Sequence, residues 1–182
     1  SVTWSPDEKS IYVGILNRGQ NHLKFCRFNA ENGELEKVLF EEKNDRYVEP
    51  QHPITFLPND ASKFIYWSRK DGFWHLYLYG TDGTQISQIT NGNFEVQEIY
   101  RFVNNYNELI INANKETPID FTVYKVNIQT GQMTLLGAKE GSHSVVLSND
   151  GEYLIDSYSS SKVPRVVALY QTSTGKNINT LH

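Results

Sequence analysis

The sequence predicts an all-β chain, a β-propeller segment of four four-stranded antiparallel blades, and three observations carry that prediction. Apolar and polar residues alternate with a period of two in short runs such as Leu23-Lys24-Phe25-Cys26-Arg27-Phe28, as on a strand with one face buried. Aromatic residues make up 13% of the chain, with 11 Tyr, 9 Phe and 3 Trp beside 12 Gly and 6 Pro, a composition suited to many short strands joined by turns. The pattern also repeats. Turns centred on Pro6, Pro58, Asn104 and Asn149 are spaced by about 45 to 52 residues, the period of propeller blades rather than of helical repeats. A β-sandwich of the same strands is the alternative, but it gives no reason for the self-similarity.

The blades fall at approximately 1–40, 52–90, 96–136 and 143–181 within a single propeller segment spanning 1–182. In the first, Val2-Thr3-Trp4 runs into a turn at Ser5-Pro6-Asp7, where Pro6 presets φ and Asp7 can bond its own backbone. Strands follow over Ile11 to Leu16, Leu23 to Asn29 and Glu34 to Phe40, and a polar crossing runs from Glu41 to Gln51. The second blade is the clearest copy: Ile54 to Leu57, Lys63 to Arg69, His75 to Gly80 and Gln85 to Thr90. Asp71-Gly72 and Asp82-Gly83 mark its hairpins. Its run Phe64-Ile65-Tyr66-Trp67 is apolar at every position, as expected of a strand packed on both faces. Phe73, Trp74, Tyr77 and Tyr79 are expected to hold one blade to the next. The third copy runs Val96 to Val103, Asn107 to Asn112, Phe121 to Asn127 and Met133 to Leu136, with its longest loop over Ala113 to Asp120. The fourth runs His143 to Leu147, Tyr153 to Tyr158, Val166 to Tyr170 and Ile178 to Leu181.

Charge and motifs exclude several functions. Seventeen Lys and Arg against 21 Asp and Glu leave a formal charge of −4, which lacks the basic footprint of a nucleic-acid partner. The single cysteine, Cys26, closes no intrachain disulfide and sits in an apolar alternation, so a packing role is expected. No apolar run approaches the ~20 residues of a membrane span. The chain opens at Ser1 in mid-pattern with no leader, as an excised fragment does. No Gly-x-Ser-x-Gly elbow occurs; Gly141-Ser142-His143-Ser144 comes nearest and opens a strand, so no catalytic residue is assigned. His22, His52, His75, His143 and His182 never fall at metal-ligand spacing, and no phosphate loop is present, so no metal and no cofactor are expected. His52 and His143 lie five residues before Leu57 and Ser148, which suggests a repeated structural role. Glu41-Glu42 is expected in a loop between blades as solvated charge, with Tyr47 and Glu49 of the same crossing as candidates to face the channel.

Three stretches carry a family resemblance. His52-Pro53-Ile54-Thr55-Phe56-Leu57, then Phe64 through Tyr79, then Ile89-Thr90-Asn91-Gly92-Asn93-Phe94-Glu95-Val96 resemble the later blades of the N-terminal propeller of dipeptidyl peptidase IV, a prolyl oligopeptidase-type serine peptidase family. Val2-Thr3-Trp4-Ser5-Pro6-Asp7 and Val163-Pro164-Arg165 agree with it. The resemblance covers nearly the whole chain, and Ser68 to Tyr79 joined to Thr90-x-Gly92-x-Phe94-Glu95-Val96 is its most specific part.

The resemblance implies about half of an eight-bladed propeller joined in a parent protein to a C-terminal α/β-hydrolase domain with a Ser, Asp and His triad, absent from this chain. Its implied role is to gate and shape a site that removes N-terminal X-Pro or X-Ala dipeptides from peptide substrates, in the periplasm or outside the cell. The family holds the substrate amine with a glutamate pair. Glu41-Glu42 precedes a blade as that pair does, but Lys43-Asn44-Asp45-Arg46 departs from its aromatic-flanked pattern and the family pair belongs to an earlier blade, so the transfer is rejected. Tyr47, in a segment that borders the family's substrate channel, is the one substrate-binding residue named. The alternative function is a stand-alone propeller that binds a partner protein through its rim, distinguished by whether a hydrolase domain with Gly-x-Ser-x-Gly follows in the full-length sequence. Four blades of eight also leave two apolar blade faces without neighbours. A homodimer closed head to tail is therefore expected beside an open arc or a closed four-blade ring.

Overall fold

The computed structural model describes Ser1–Leu181; His182, the last of the five histidines, lies outside the described residues. Among the described residues sixteen strands form four four-stranded antiparallel sheets, each a meander in chain order, and no helix is long and apolar enough to cross a membrane. The chain divides into two compact units, Ser1–Gln88 and the residues from Ile89 onward, each holding two sheets.

In the first unit, β1 (Val2–Trp4), β2 (Ser10–Leu16), β3 (His22–Asn29) and β4 (Leu35–Lys43) make one sheet, and β5 (Thr55–Leu57), β6 (Asp60–Ser68), β7 (His75–Gly80) and β8 (Gln85–Gln88) the other. Their facing surfaces share a core of Tyr12, Leu23, Phe25 and Leu39 from one sheet and Phe64, Tyr66, Tyr77 and Tyr79 from the other, with Val48 and Ile54 of the crossing. Phe40 bridges the two, stacked on Phe25 at 5.1 Å and on Tyr79 at 4.5 Å between ring centroids. Offset and edge-on aromatic pairs of this kind add about 0.5–1.5 kcal/mol beyond area burial. Tyr77 and Tyr79 thus hold one blade to the next, as the sequence suggests. Every residue from Phe64 to Ser68 is buried, and Cys26 is buried in β3.

Hydrogen bonds at the sheet rims also join the two blades. Arg27 Nη1 donates to the Thr81 carbonyl at 3.2 Å and Lys37 Nζ to that of Asp82 at 2.8 Å. Gly83, at φ +90, lies in the same contact, where an added Cβ would meet the Leu39 carbonyl oxygen at 2.3 Å.

In the second unit, β9 (Val96–Val103), β10 (Glu108–Ala113), β11 (Thr122–Asn127) and β12 (Met133–Leu136) form one sheet, and β13 (Ser142–Leu147), β14 (Tyr153–Ser159), β15 (Val166–Gln171) and β16 (Asn177–Thr180) the other. Val103, Ile110, Val123 and Leu136 pack on Leu154, Ala168 and Tyr170. The rim device recurs: Arg101 Nη1 donates to the Ser148 carbonyl at 2.9 Å and Lys125 Nζ to that of Ser173 at 2.8 Å.

Turn chemistry repeats as well. Ser5 Oγ donates to Asp7 at 2.6 Å and accepts from the Ser10 amide at 2.9 Å; Ser148, Asp150 and Tyr153 do the same at 2.6 and 2.9 Å. A serine two residues before an aspartate therefore closes the first hairpin of two blades.

One boundary differs in a way that matters for function. The strand expected to end at Phe40 continues to Lys43, pairing Glu41 with Lys24 and Glu42 with Leu23, so Glu41 and Glu42 are strand residues rather than loop residues.

Candidate functional site

Because successive strand side chains point to opposite faces, Glu41 and Glu42 have different fates. Glu41 turns to solvent, where His22 Nε2 lies 2.7 Å away and Lys43 Nζ 3.5 Å, and the bond from His22 is the first cause holding its carboxyl below the usual range. Glu42 turns inward and is half-buried. Its carboxylate accepts from Ser68 Oγ at 2.7 Å and Tyr66 OH at 3.3 Å. Burial raises its pKa, opposed by the Ser68 bond, the Lys70 charge and the Tyr66 bond. Burial and then the Glu42 charge push the Tyr66 phenol up in turn.

Lys70 completes the polar cluster. Its ammonium lies 3.9 Å from the centroid of the Tyr77 ring and donates to Tyr79 OH at 3.0 Å and to Gln85 Oε1. Such placement over an aromatic face stabilises a cation by about 0.5–2 kcal/mol. Burial lowers the Lys70 pKa, with Glu42 and Asp71 opposing.

Glu42 and Lys70 of this cluster line a pocket of about 250 Å³ in the first unit. The crossing after β4 supplies Asn44, Arg46, Tyr47, Val48 and Glu49; the β6–β7 loop supplies Arg69, Lys70, Gly72 and Trp74. The crossing is pinned rather than free: the Val48 amide donates to the Gln20 carbonyl at 2.7 Å while its side chain enters the core, and the Asn44 amide donates to the Asn21 carbonyl at 3.0 Å. Tyr47, next to that anchor, is 50% exposed at the rim. Arg69 lies 5.7 Å from the centroid of the Trp74 ring, and His52 stacks on Trp67 at 4.1 Å. The lining carries Lys43, Arg46, Arg69 and Lys70 against Glu42 and Glu49.

The structure thus brings Tyr47 and Glu49 to one pocket with Glu42, whereas the sequence suggested solvated charge for Glu42. The signal was the two-residue period itself: Glu42 follows Phe40 on the core-facing side. Ser68, Tyr66 and Lys70 carried no local sign, since what joins them to Glu42 is contact between two sheets. His52 and His143 do not share a role; His52 stacks on Trp67, whereas His143 bonds Asp156 at 2.9 Å. Among the described residues no three His, Cys, Asp or Glu side chains converge as a metal site.

Four meandering four-stranded blades define a β-propeller segment, with a polar, aromatic-rimmed pocket at one blade end. Residues 1–165 match the family described as Dipeptidyl peptidase IV (DPP IV) N-terminal region, and the chain belongs to that family. Dipeptidyl peptidase 4 of Trichophyton rubrum is 27% identical over 180 residues, covering 96% of this chain and 23% of the relative. Among solved structures, a Bacteroides ovatus protein assigned as a dipeptidyl aminopeptidase IV superposes with a TM-score of 0.89 at 39% identity, over 100% of this chain and 28% of its own. Porphyromonas gingivalis dipeptidyl peptidase 4 gives 0.81 at 29% identity, over 100% of this chain and 25% of its own. The chain therefore spans about a quarter of the length of the relatives it matches.

Proposed function

We propose that this chain is the non-catalytic propeller portion of a dipeptidyl peptidase IV-like serine exopeptidase, where it gates and shapes the site that releases X-Pro and X-Ala dipeptides from peptide N-termini. Acyl transfer belongs to a C-terminal α/β-hydrolase domain of the parent protein, which acts in the periplasm or outside the cell. The single observation that carries the reading is the pocket at the blade end, built from a pinned crossing and a hairpin loop, in a chain whose relatives bear dipeptidyl peptidase names.

Chemically the pocket suits an extended peptide. Arg46 and Lys70 line it with N–H donors suited to backbone carbonyls, and half-exposed Tyr47 offers flat apolar surface. A contact that holds ground and transition states equally shows its loss in KM rather than kcat, and a rim contact to the substrate chain is assigned that uniform role here.

Tyr47→Ala in the intact enzyme is accordingly expected to raise KM for an X-Pro-p-nitroanilide about 3- to 10-fold, the effect of losing about 1 kcal/mol of uniform binding, with kcat near wild type. A KM unchanged in that variant, with the fold intact by circular dichroism, counts against the substrate-facing role.

A further inference from the structure

The peptide-facing pocket has two walls that come from different sheets, and a chain of hydrogen bonds runs from one to the other. The crossing that carries Tyr47 leaves the end of β4, and the loop that carries Lys70 leaves the end of β6. Glu42 stands near the end of β4, two residues before Asn44 of the crossing. One of its carboxylate oxygens accepts from Ser68 Oγ at 2.7 Å and the other from Tyr66 OH at 3.3 Å. Ser68 ends β6 and is 1% exposed, and its Oγ accepts in turn from the Lys70 amide at 3.1 Å.

Chemistry sets the direction of this chain. An ionised carboxylate only accepts, so both hydroxyls give it their protons and Ser68 Oγ keeps a lone pair for the Lys70 amide. Past that amide the loop is held by its own sheet. Gly72, at φ +102, closes the turn by donating its amide to the Arg69 carbonyl at 2.8 Å. Asp71 accepts from Gln88 Nε2 at 2.6 Å, and the Lys70 ammonium donates to Tyr79 OH at 3.0 Å. The opposite wall is anchored to the β2–β3 hairpin through the Asn44 and Val48 amides. Each wall is therefore fixed to its own sheet, and Glu42 ties one to the other.

Packing alone does not account for a glutamate at this position. A leucine would fill similar space without burying a carboxyl, which is unfavourable unless its oxygens are bonded. What glutamate adds is two acceptor oxygens, and both are spent on β6 of the neighbouring blade.

We propose that Glu42 is a positioning residue for substrate: its bonds to Ser68 and Tyr66 place the β6–β7 loop, and with it Lys70, against the crossing that carries Tyr47, and so set the width at which the pocket holds a peptide. The inference rests on the peptide-facing reading of this pocket.

Steady-state kinetics and amide hydrogen exchange of the intact enzyme at pH 8 test it together, since exchange follows the loop without substrate. Glu42→Leu fills the space and offers no acceptor, Ser68→Ala removes the middle of the chain, and Glu42→Gln keeps an acceptor oxygen. Glu42→Leu and Ser68→Ala are expected to speed exchange over Ser68 to Gly72 and to raise KM for an X-Pro-p-nitroanilide about 3- to 10-fold with kcat near wild type. The double variant is no worse than either single one, because both break the same chain. Glu42→Gln restores both readouts to within about twofold of wild type, a rescue that a space-filling role does not require. Should Glu42→Leu fail to fold, Ser68→Ala carries the same comparison. Exchange left unchanged by both substitutions, or a KM equal in the Leu and Gln variants, would overturn the proposal. Faster exchange without a change in KM, where Tyr47→Ala does raise KM, refutes the link to substrate and leaves the peptide-facing reading standing. A KM unmoved by Glu42→Leu, Ser68→Ala and Tyr47→Ala alike refutes that reading, and this inference with it.

Discussion

Glu42 joins sequence, structure and pH dependence at the scale of one residue. Its carboxyl is raised by burial, so the folded state binds a proton more tightly than the unfolded chain does. The sign follows: stability associated with this group is greatest below the unfolded carboxyl pKa and falls as pH rises through the folded one. At pH 8 the ionised side chain is therefore a net burden, only partly relieved by the Ser68 bond, the Lys70 charge and the Tyr66 bond. Glu42→Gln keeps an acceptor for Ser68 Oγ and removes the charge. It is expected to stabilise the chain at pH 8 by on the order of 1 kcal/mol and to have little effect near pH 4. Urea denaturation at the two pH values measures the difference; equal effects at both would show that burial of the charge is not the cause. Phe40 and the strand period placed Glu42 on the inner side in principle, but nothing local announced Ser68, some 26 residues away, as its partner.

At the scale of the element, the hairpin glycines divide by what surrounds them. Gly33 and Gly83 both adopt left-handed backbone, at φ +73 and +90, but an added Cβ at Gly33 meets nothing within 4 Å, whereas at Gly83 it meets the Leu39 carbonyl. Gly33→Ala should therefore lose only the conformational term, about 1 kcal/mol. Gly83→Ala must also move the β7–β8 turn away from β4 and is expected to lose about 2–4 kcal/mol. Thermal melts of the two single variants rank them directly, and equal losses would refute the close approach. Both turns were legible as Asp-Gly or Asn-Gly signals, because a turn is encoded by residues adjacent in the chain. Which turn touches a neighbouring blade was not, because that contact joins Leu39 to a residue 44 positions on, counting from Leu39 to Gly83.

For the molecule as a whole, the repeat explains both what is buried and what is left exposed. Facing sheets within each unit bury their aromatics, while Val2, Trp4 and Leu35 on the first sheet and Val146, Ile155 and Ile178 on the fourth stay exposed. Exposed apolar strands of this extent favour association. The isolated chain is expected to pair with a second copy at micromolar concentration. Light scattering that gives a monomer mass throughout that range would count against pairing.

The sequence by itself determined the strands, their turns and the repeat that makes them blades, because period-two alternation and turn residues act over a few neighbouring positions. It determined the family too, through the run from Ser68 to Val96. Only the tertiary structure decided that Glu42 faces inward to Ser68 and Tyr66, that Tyr47 sits on the rim of their pocket, and that His143 meets Asp156. Those relations depend on cross-strand register and on one sheet packing against another, and both bring together residues whose separation along the chain leaves no local trace.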